Sequence, residues 1–322
     1  MPYLIVPFKA FDHRKHLTVE YRSKMETIQS KPRNLNKAFA LCVSAYLLAL
    51  LVAIAGGYML RELHPIIIVL VADVSARLVV YTFSRIFHNA SFYDAYWSVA
   101  PLAIALYWMI GTSSEIVVIA RQIIVISLVF VWGLRLTYNW ASQWQGLKHE
   151  DWRYTNLRKK AKGRFWLVDL VGIEMMPTMI VFLACLPLYP ILAVGGNPIG
   201  VLDVIAVILT TSAIVIEAIA DKQLGRFRRE RPESGEIMAK GLWAYSRHPN
   251  YFGEVAFWWG LFIFALAADS GYWWTIIGPV SITILFSVVS IPMMERRSLE
   301  RRPGYDEHRK KISILIPWFP KE

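Results

Sequence analysis

Residues 241–268 read GLWAYSRHPNYFGEVAFWWGLFIFALAA, a basic loop running straight into an apolar stretch, 251–268, in which Glu254 is the only charge. An uninterrupted apolar run of about 18 residues or more is long enough to cross a bilayer. The loop before it is unusual for a plain helix start, which needs one capping side chain and a cation at the membrane surface. Here Arg247, His248, Asn250, Tyr251 and Glu254 crowd into eight consecutive positions. Cationic donors, an amide and a carboxylate together suit a polar, phosphate-bearing ligand better than lipid, although an interfacial belt of snorkelling side chains is the plainer alternative.

Outward from that stretch the same alternation repeats. Eight apolar spans are predicted, at about 38–60, 65–84, 96–112, 115–139, 166–193, 200–220, 251–268 and 272–293. The 322-residue chain is 56% hydrophobic with 13 tryptophans, and it carries a formal charge of +11. The placement of the cations explains that charge without nucleic acid. Of 35 Lys and Arg, eight lie in 1–37, seven in 141–165, seven in 221–250 and eight in 294–322, while the turns at 113–114, 194–199 and 269–271 have none. With eight spans all four rich segments fall on one side, which the positive-inside rule makes the cytoplasm, with both termini there. The fold class expected is all-α, a polytopic transmembrane bundle with cytoplasmic loops capping a cofactor. Cys42 and Cys185 sit inside apolar spans, so neither a disulfide framework nor a thiolate metal site is expected. No cleavable signal peptide is visible before the first span.

Residues 1–37 read as a cytoplasmic arm broken by Pro2, Pro7 and Pro32; His13 and His16 lack a third ligand and read as part of a solvated charge run. Asp73 and Arg77, four apart, either neutralise each other or line a cavity. The segment FHNASFYDAYWSVAP places Tyr93 and Asp94 at the start of the third span. Asp94 is either a helix cap or a carboxyl whose pKa is raised by an apolar site, able to donate a hydrogen bond to a developing enolate oxygen. On the fourth span Trp132, Arg135, Tyr138 and Asn139 recur at helical spacing. Glu150, Asp151, Arg153 and Tyr154 read as surface pairing. Asp169, Glu174 and Pro177 suggest a kinked helix beside a polar cavity. Glu217, Asp221, Leu224 and Arg228 share roughly one face of the sixth span, an arrangement that could hold ribose hydroxyls with carboxylates and phosphates with Arg, or be a flank stabilised by ion pairs. The closing ISILIPWFP is expected to fold back on the membrane or on the loop. Soluble nucleotide-binding and hydrolase signatures are missing: there is no GxGxxG after a strand, Walker loop, HExxH or G-x-S-x-G.

The segment GLWAYSRHPNYFGE, with DKQLGRFR before it and ERRSLERRPGYDEHRKK…IPWF after it, resembles the membrane-bound steroid 5-alpha-reductase family, particularly its bacterial members, over about residues 65–322. That resemblance implies seven family helices enclosing NADPH, preceded here by an arm at 1–37 and one extra helix at 38–64. It implies an oxidoreductase of a bacterial inner membrane that reduces the C4–C5 double bond of a 3-oxo-4-ene steroid or similar lipophilic enone, as a monomer in contact with membrane lipid. It implies Asp221, Arg228, Asn250 and Glu254 as cofactor-holding residues, with Arg247, His248, Tyr251 and Arg296 beside them. Asp94 with Tyr93 or Tyr138 would then activate the substrate carbonyl. Membrane methyltransferases of the isoprenylcysteine and phospholipid type also carry an RHPxYxG segment, so an S-adenosylmethionine-dependent enzyme is the alternative.

Overall fold

The computed structural model describes residues 35–111, 114–230 and 235–321, so the arm with His13 and His16 lies outside the described residues. Among the described residues every regular element is helical. Seven helices are long and apolar enough to cross a membrane: α1 (Leu35–Met59), α2 (Pro65–Ile86), α4 (Ile119–Gln143), α6 (Phe165–Val194), α7 (Val201–Glu230), α8 (Pro249–Ala268) and α9 (Ser270–Arg301). Between α2 and α4 lies α3 (Tyr96–Gly111), and short helices α5 (Trp152–Ala161) and α10 (Tyr305–Lys311) lie outside the spans. At 16 residues, α3 rises only about 24 Å, short of the roughly 30 Å hydrocarbon core. It still traverses the bundle, because its flanks reach both ends. Asp94 receives the Tyr154 hydroxyl at one end, and the Ser114 amide reaches the Ala193 carbonyl at the other.

The innermost helices are α6 and α8, where Phe257, Trp258, Leu261, Leu188 and Ile191 are fully enclosed. The outer helices leave a lipid-facing stripe, as at Leu47, Ile54, Ile123 and Ile208. In lipid, helices associate through close packing of small residues rather than through burial from water. The α7–α8 pair follows this rule: a methyl on Gly253 would come 2.8 Å from the Ala213 carbonyl, and one on Gly260 would collide with Thr210.

Buried charges fasten the bundle. At the end away from the basic segments, Arg121 makes a two-pronged bond to Asp203 at 2.6 and 2.9 Å and donates to the carbonyls of Asn197 and Pro198. Asp73 and Arg77 do not close a pair with each other. Asp73 accepts from Tyr96 at 2.6 Å, while Arg77 pairs with Glu174 and lies over the Tyr93 and Tyr96 rings. Within α6 a π-helical segment covers Asp169–Met175 just before Pro177, and its acids are taken up by Arg85 and Arg77. Cys42 and Cys185 are both free and buried.

The segment after α10 returns to the loop before α8. The Arg247 amide donates to the Ser313 carbonyl and the Trp318 amide to the Tyr245 carbonyl, each at 2.9 Å, and Ser246 Oγ donates to the Leu315 carbonyl at 2.8 Å.

Candidate functional site

At the end of the bundle opposite Arg121, α3, α4, α5 and α7 surround a cleft of two adjoining cavities. One of about 260 Å³ lies between α3, α4 and α7, with Asp221, Leu224 and Arg228 on one wall and Asn139 on another. The second, of about 370 Å³, continues toward α5 past Tyr93, Arg153 and Tyr154. Asp94, Trp97, Trp140 and Gln143 line both. The sequence spacing on α7 thus delivers what it suggests: Asp221, Leu224 and Arg228 face one space, one helical turn apart.

Asp221 is the hub of the first cavity. Arg135 donates to its Oδ2 at 2.9 Å, Asn139 to the same oxygen at 3.0 Å, and Asn250 to Oδ1 at 3.3 Å. A carboxylate has about four acceptor positions, so Oδ1 retains room for a hydroxyl. Arg135 also pairs with Glu217 one turn deeper. The cation from α7 has different surroundings. Among the described residues Arg228 has no carboxylate partner, and Arg297 and Arg302 lie within electrostatic reach of it. Arg297 itself stacks over the Trp152 ring at 3.8 Å. Asp221 acts on Arg228 and Asp151 on Arg297, and three guanidinium groups against these two carboxylates favour an anion with several oxygens.

Asp94 is the hub of the second cavity. The Tyr154 hydroxyl donates to its Oδ1 at 2.6 Å, and Arg153, itself paired with Asp151 at 2.8 Å, stands 3.6 Å away. Burial raises the Asp94 carboxyl to about 6, against the opposing pull of Arg153 and Tyr154. Burial and the Asp94 charge together push the Tyr154 phenol well above its ordinary range. The loop carrying these residues is pinned to the start of α3. Gly146 takes a positive φ of 80°, and beyond it the Leu147 and His149 carbonyls accept from Asn89 Nδ2 at 2.9 and 3.1 Å. Glu150 accepts from the Ala90 amide. Residues 150–154, which read as surface pairing, therefore build a wall of the cleft.

Several expected site residues stand elsewhere. Glu254 is 2% exposed and sits behind the cleft, where its carboxylate accepts from three indoles: Trp97 and Trp258 on Oε1, each at 3.0 Å, and Trp132 on Oε2 at 2.9 Å. It touches the cleft only through Trp97. Arg247 and His248 both turn to Glu295, at 3.0 and 2.9 Å, and Tyr305 donates to the same carboxylate at 2.6 Å. They fasten α8 to α9 and α10. Tyr251 stacks on His248 at 5.3 Å and packs against Phe286, within reach of Arg153, Arg228 and Asp221. Tyr138 is 72% exposed, since at about 100° per residue it stands a quarter turn or more from Asn139. Arg296 is exposed; the α9 cation within electrostatic reach of Arg228 is its neighbour Arg297. Sequence reasoning gave no role here to Trp140 and Trp144, and left Tyr154 on the surface. The density of aromatic residues after Arg135 was the available signal for them.

The fold and cleft define a polytopic, all-helical membrane protein with a charged pocket at one end of its bundle. The chain belongs to the family described as "Protein of unknown function (DUF1295)", whose model matches residues 80–312 and so covers the cleft but not α1. A relative in Schizosaccharomyces pombe, an uncharacterized protein, is 27% identical over 252 residues, spanning 71% of this chain and 73% of that protein. No solved structure matches the chain. These findings correct the resemblance drawn from the sequence. The family matched is not the steroid 5-alpha-reductase family, and the relative is a fungal protein rather than a bacterial reductase.

Proposed function

We propose that the protein is a membrane enzyme that reduces the conjugated double bond of a lipophilic enone, with NADPH as the reductant. The observation that carries this reading is the division of one cleft into an end lined by Arg228, with Arg297 and Arg302 within its electrostatic reach, and an end holding the partly buried, protonatable Asp94 carboxyl. The first end suits the phosphates. Arg228, Arg297 and Arg302 would hold them, and the open acceptor position on Asp221 would take a ribose hydroxyl, with Asn139 and Asn250 fixing that carboxylate. NADPH, when bound, supplies the hydride.

At the second end Asp94 acts through its proton. With its pKa near 6, the carboxyl carries a proton in a sizeable fraction of molecules just below neutrality, and in that form it donates to the carbonyl oxygen of the enone. Tyr154 keeps the carboxyl oriented, and Tyr93 forms the wall beside it. Stabilising charge that builds on that oxygen is worth roughly 3 kcal/mol per good donor in a dry site. Methyl transfer from S-adenosylmethionine is served less well, because that molecule has no phosphate for the arginines to hold. The positive-inside rule places the cleft, and the basic segments around it, at the cytoplasmic face.

The test uses purified protein in nanodiscs. NADPH raises the unfolding temperature by ligand linkage, Arg228→Ala weakens its binding about tenfold or more, and NADPH is consumed when a 4-en-3-one or another cyclic enone is added. Stabilisation by S-adenosylmethionine and not by NADPH would overturn the assignment.

A further inference from the structure

Residues 312–320, which follow α10, are apolar apart from Ser313 and carry no charge. The Lys321 amide donates to the Lys311 carbonyl at 2.9 Å, so the stretch closes into a loop with a lysine on each side of its neck. Exposure alternates along it, as side chains do on an extended chain. Ser313, Leu315 and Pro317 are half-buried, whereas Ile314, Ile316 and Trp318 stand outward. Phe319 joins the outer face and meets the exposed Tyr245 ring edge-on at 6.1 Å. Trp318 is 70% and Phe319 76% exposed, a large aromatic area to leave in water. An exposed apolar patch rimmed by charge marks a surface that protein or membrane covers.

Hydrogen bonds fix the depth of this loop relative to the bilayer. On α7, Ile219 is exposed on the lipid side, and Lys222 is the first exposed charge beyond it. The Trp243 indole donates to the Ala220 carbonyl at 3.1 Å, and Gln223 Oε1 accepts from the Leu242 amide at 3.1 Å, so residues 242–243 stand level with that boundary. Tyr245 follows Trp243 by two residues, about 7 Å of chain at most, and its carbonyl accepts from the Trp318 amide at 2.9 Å. One headgroup layer is roughly 5–8 Å thick, so the loop lies within it. We infer that residues 312–320 are an interfacial anchor: Ile314, Ile316, Trp318 and Phe319 lie in the bilayer leaflet at the cleft end of the bundle, with Lys311 and Lys321 at lipid phosphates. The charges match that occupant. Lys310 is engaged by Asp306 and Glu307, whereas among the described residues neither Lys311 nor Lys321 has a carboxylate partner. Aromatic side chains flanked by lysines are what a membrane–water interface favours. A water-borne partner would meet the patch at the depth of the headgroups, which compete for it. The inner face is bonded to residues 245–247, just before Asn250 of the cleft, so the anchor holds the entry to α8 from the membrane side.

The experiment attaches a nitroxide to the full chain in nanodiscs that hold one copy each. Ile314→Cys and Ile316→Cys report the outer face. Glu230→Cys on α7, about 12 Å beyond Lys222, reports water. Cys42 and Cys185 are buried and stay unlabelled. Power saturation compares collisions with oxygen, which concentrates in lipid, and with a nickel chelate, which stays in water. The oxygen-to-nickel ratio at 314 and 316 is expected to exceed that at 230 about fivefold or more. Lys311→Glu with Lys321→Glu, which leaves the apolar face intact, lowers the ratio at 316 about twofold or more in discs of anionic lipid. Should Ile316→Cys fail to fold, Ile314→Cys carries both comparisons. A ratio at the outer face equal to that at 230 overturns the inference. So does a label shielded from oxygen and nickel alike, the mark of a covering protein, and so does a ratio indifferent to the lysine reversal.

Discussion

Replacing Glu254 separates a structural role from a cofactor-holding one. Its carboxylate takes three indole N–H groups from three helices, Trp97 on α3, Trp132 on α4 and Trp258 on α8. Hydrogen bonds to a charged acceptor contribute about 1.5–3 kcal/mol each, so three amount to roughly 4–9 kcal/mol. Against this, removing a buried charge recovers several kcal/mol of desolvation. The expected net loss for Glu254→Ala is about 2–5 kcal/mol. Glu254→Gln is the sharper probe. Its carbonyl oxygen can still serve the two indoles that share Oε1, but its amide then meets the Trp132 N–H donor to donor, at a loss of about 1–3 kcal/mol. Trp132→Phe removes that opposing donor. It should therefore destabilise the Glu254→Gln background less than the parent, with a coupling of about 1 kcal/mol or more in a double-mutant cycle. Chemical unfolding in mild detergent, followed by near-ultraviolet circular dichroism, measures all four variants. Additive effects, or a Glu254→Gln variant as stable as the parent that has lost only nucleotide affinity, would refute the indole-acceptor role.

Gly253→Ala pushes a methyl against the Ala213 carbonyl and Glu217 of α7; a loss of about 1–3 kcal/mol is expected, with nucleotide binding weakened as Asn250 draws away from Asp221, and unaltered thermal unfolding would refute it. Asp203→Asn leaves Arg121 enclosed with its counter-charge gone, a loss of about 3 kcal/mol that a melting curve detects. Asp94 governs a pH dependence. Because burial raises its carboxyl from 3.8 to about 6, the folded state holds that proton longer than the unfolded chain. Its contribution is then most favourable below about pH 4, declines as pH rises to about 6 and stays low above that, a fall on the order of 1–3 kcal/mol. Asp94→Asn should remove that slope between pH 4 and 6.5, and an unaltered slope would show that other groups carry it.

The membrane fold was legible because each crossing is written locally, as an apolar run bounded by charges. Even α3, too short on its own, showed as a weaker run. Half of the cleft was legible for the same reason: Asp221, Leu224 and Arg228 lie on one helix, and helical spacing fixes their common face. What is assembled across distant segments was not. Tyr154 meets Asp94 from 60 residues away, and nothing local to residues 150–154 distinguishes a cleft wall from a solvated loop. Glu254 shows the same limit from the other side. Its place in a polar motif suggested a ligand, whereas the three indoles that occupy it come from positions 97, 132 and 258. Tyr138 failed on phase alone, being spaced plausibly from Arg135 yet turned outward.

The Arg121 clamp at the far end has a mechanical consequence. One guanidinium ties α4 to the first turn of α7 and to the segment before it, and at the other end of α4, a rise of about 27 Å from Arg121 to Asn139, Arg135 and Asn139 tie the same two helices through Glu217 and Asp221. Fastened near both ends, α4 and α7 act as a brace, and the width between them at the cleft is preset rather than adjusted on entry of a ligand.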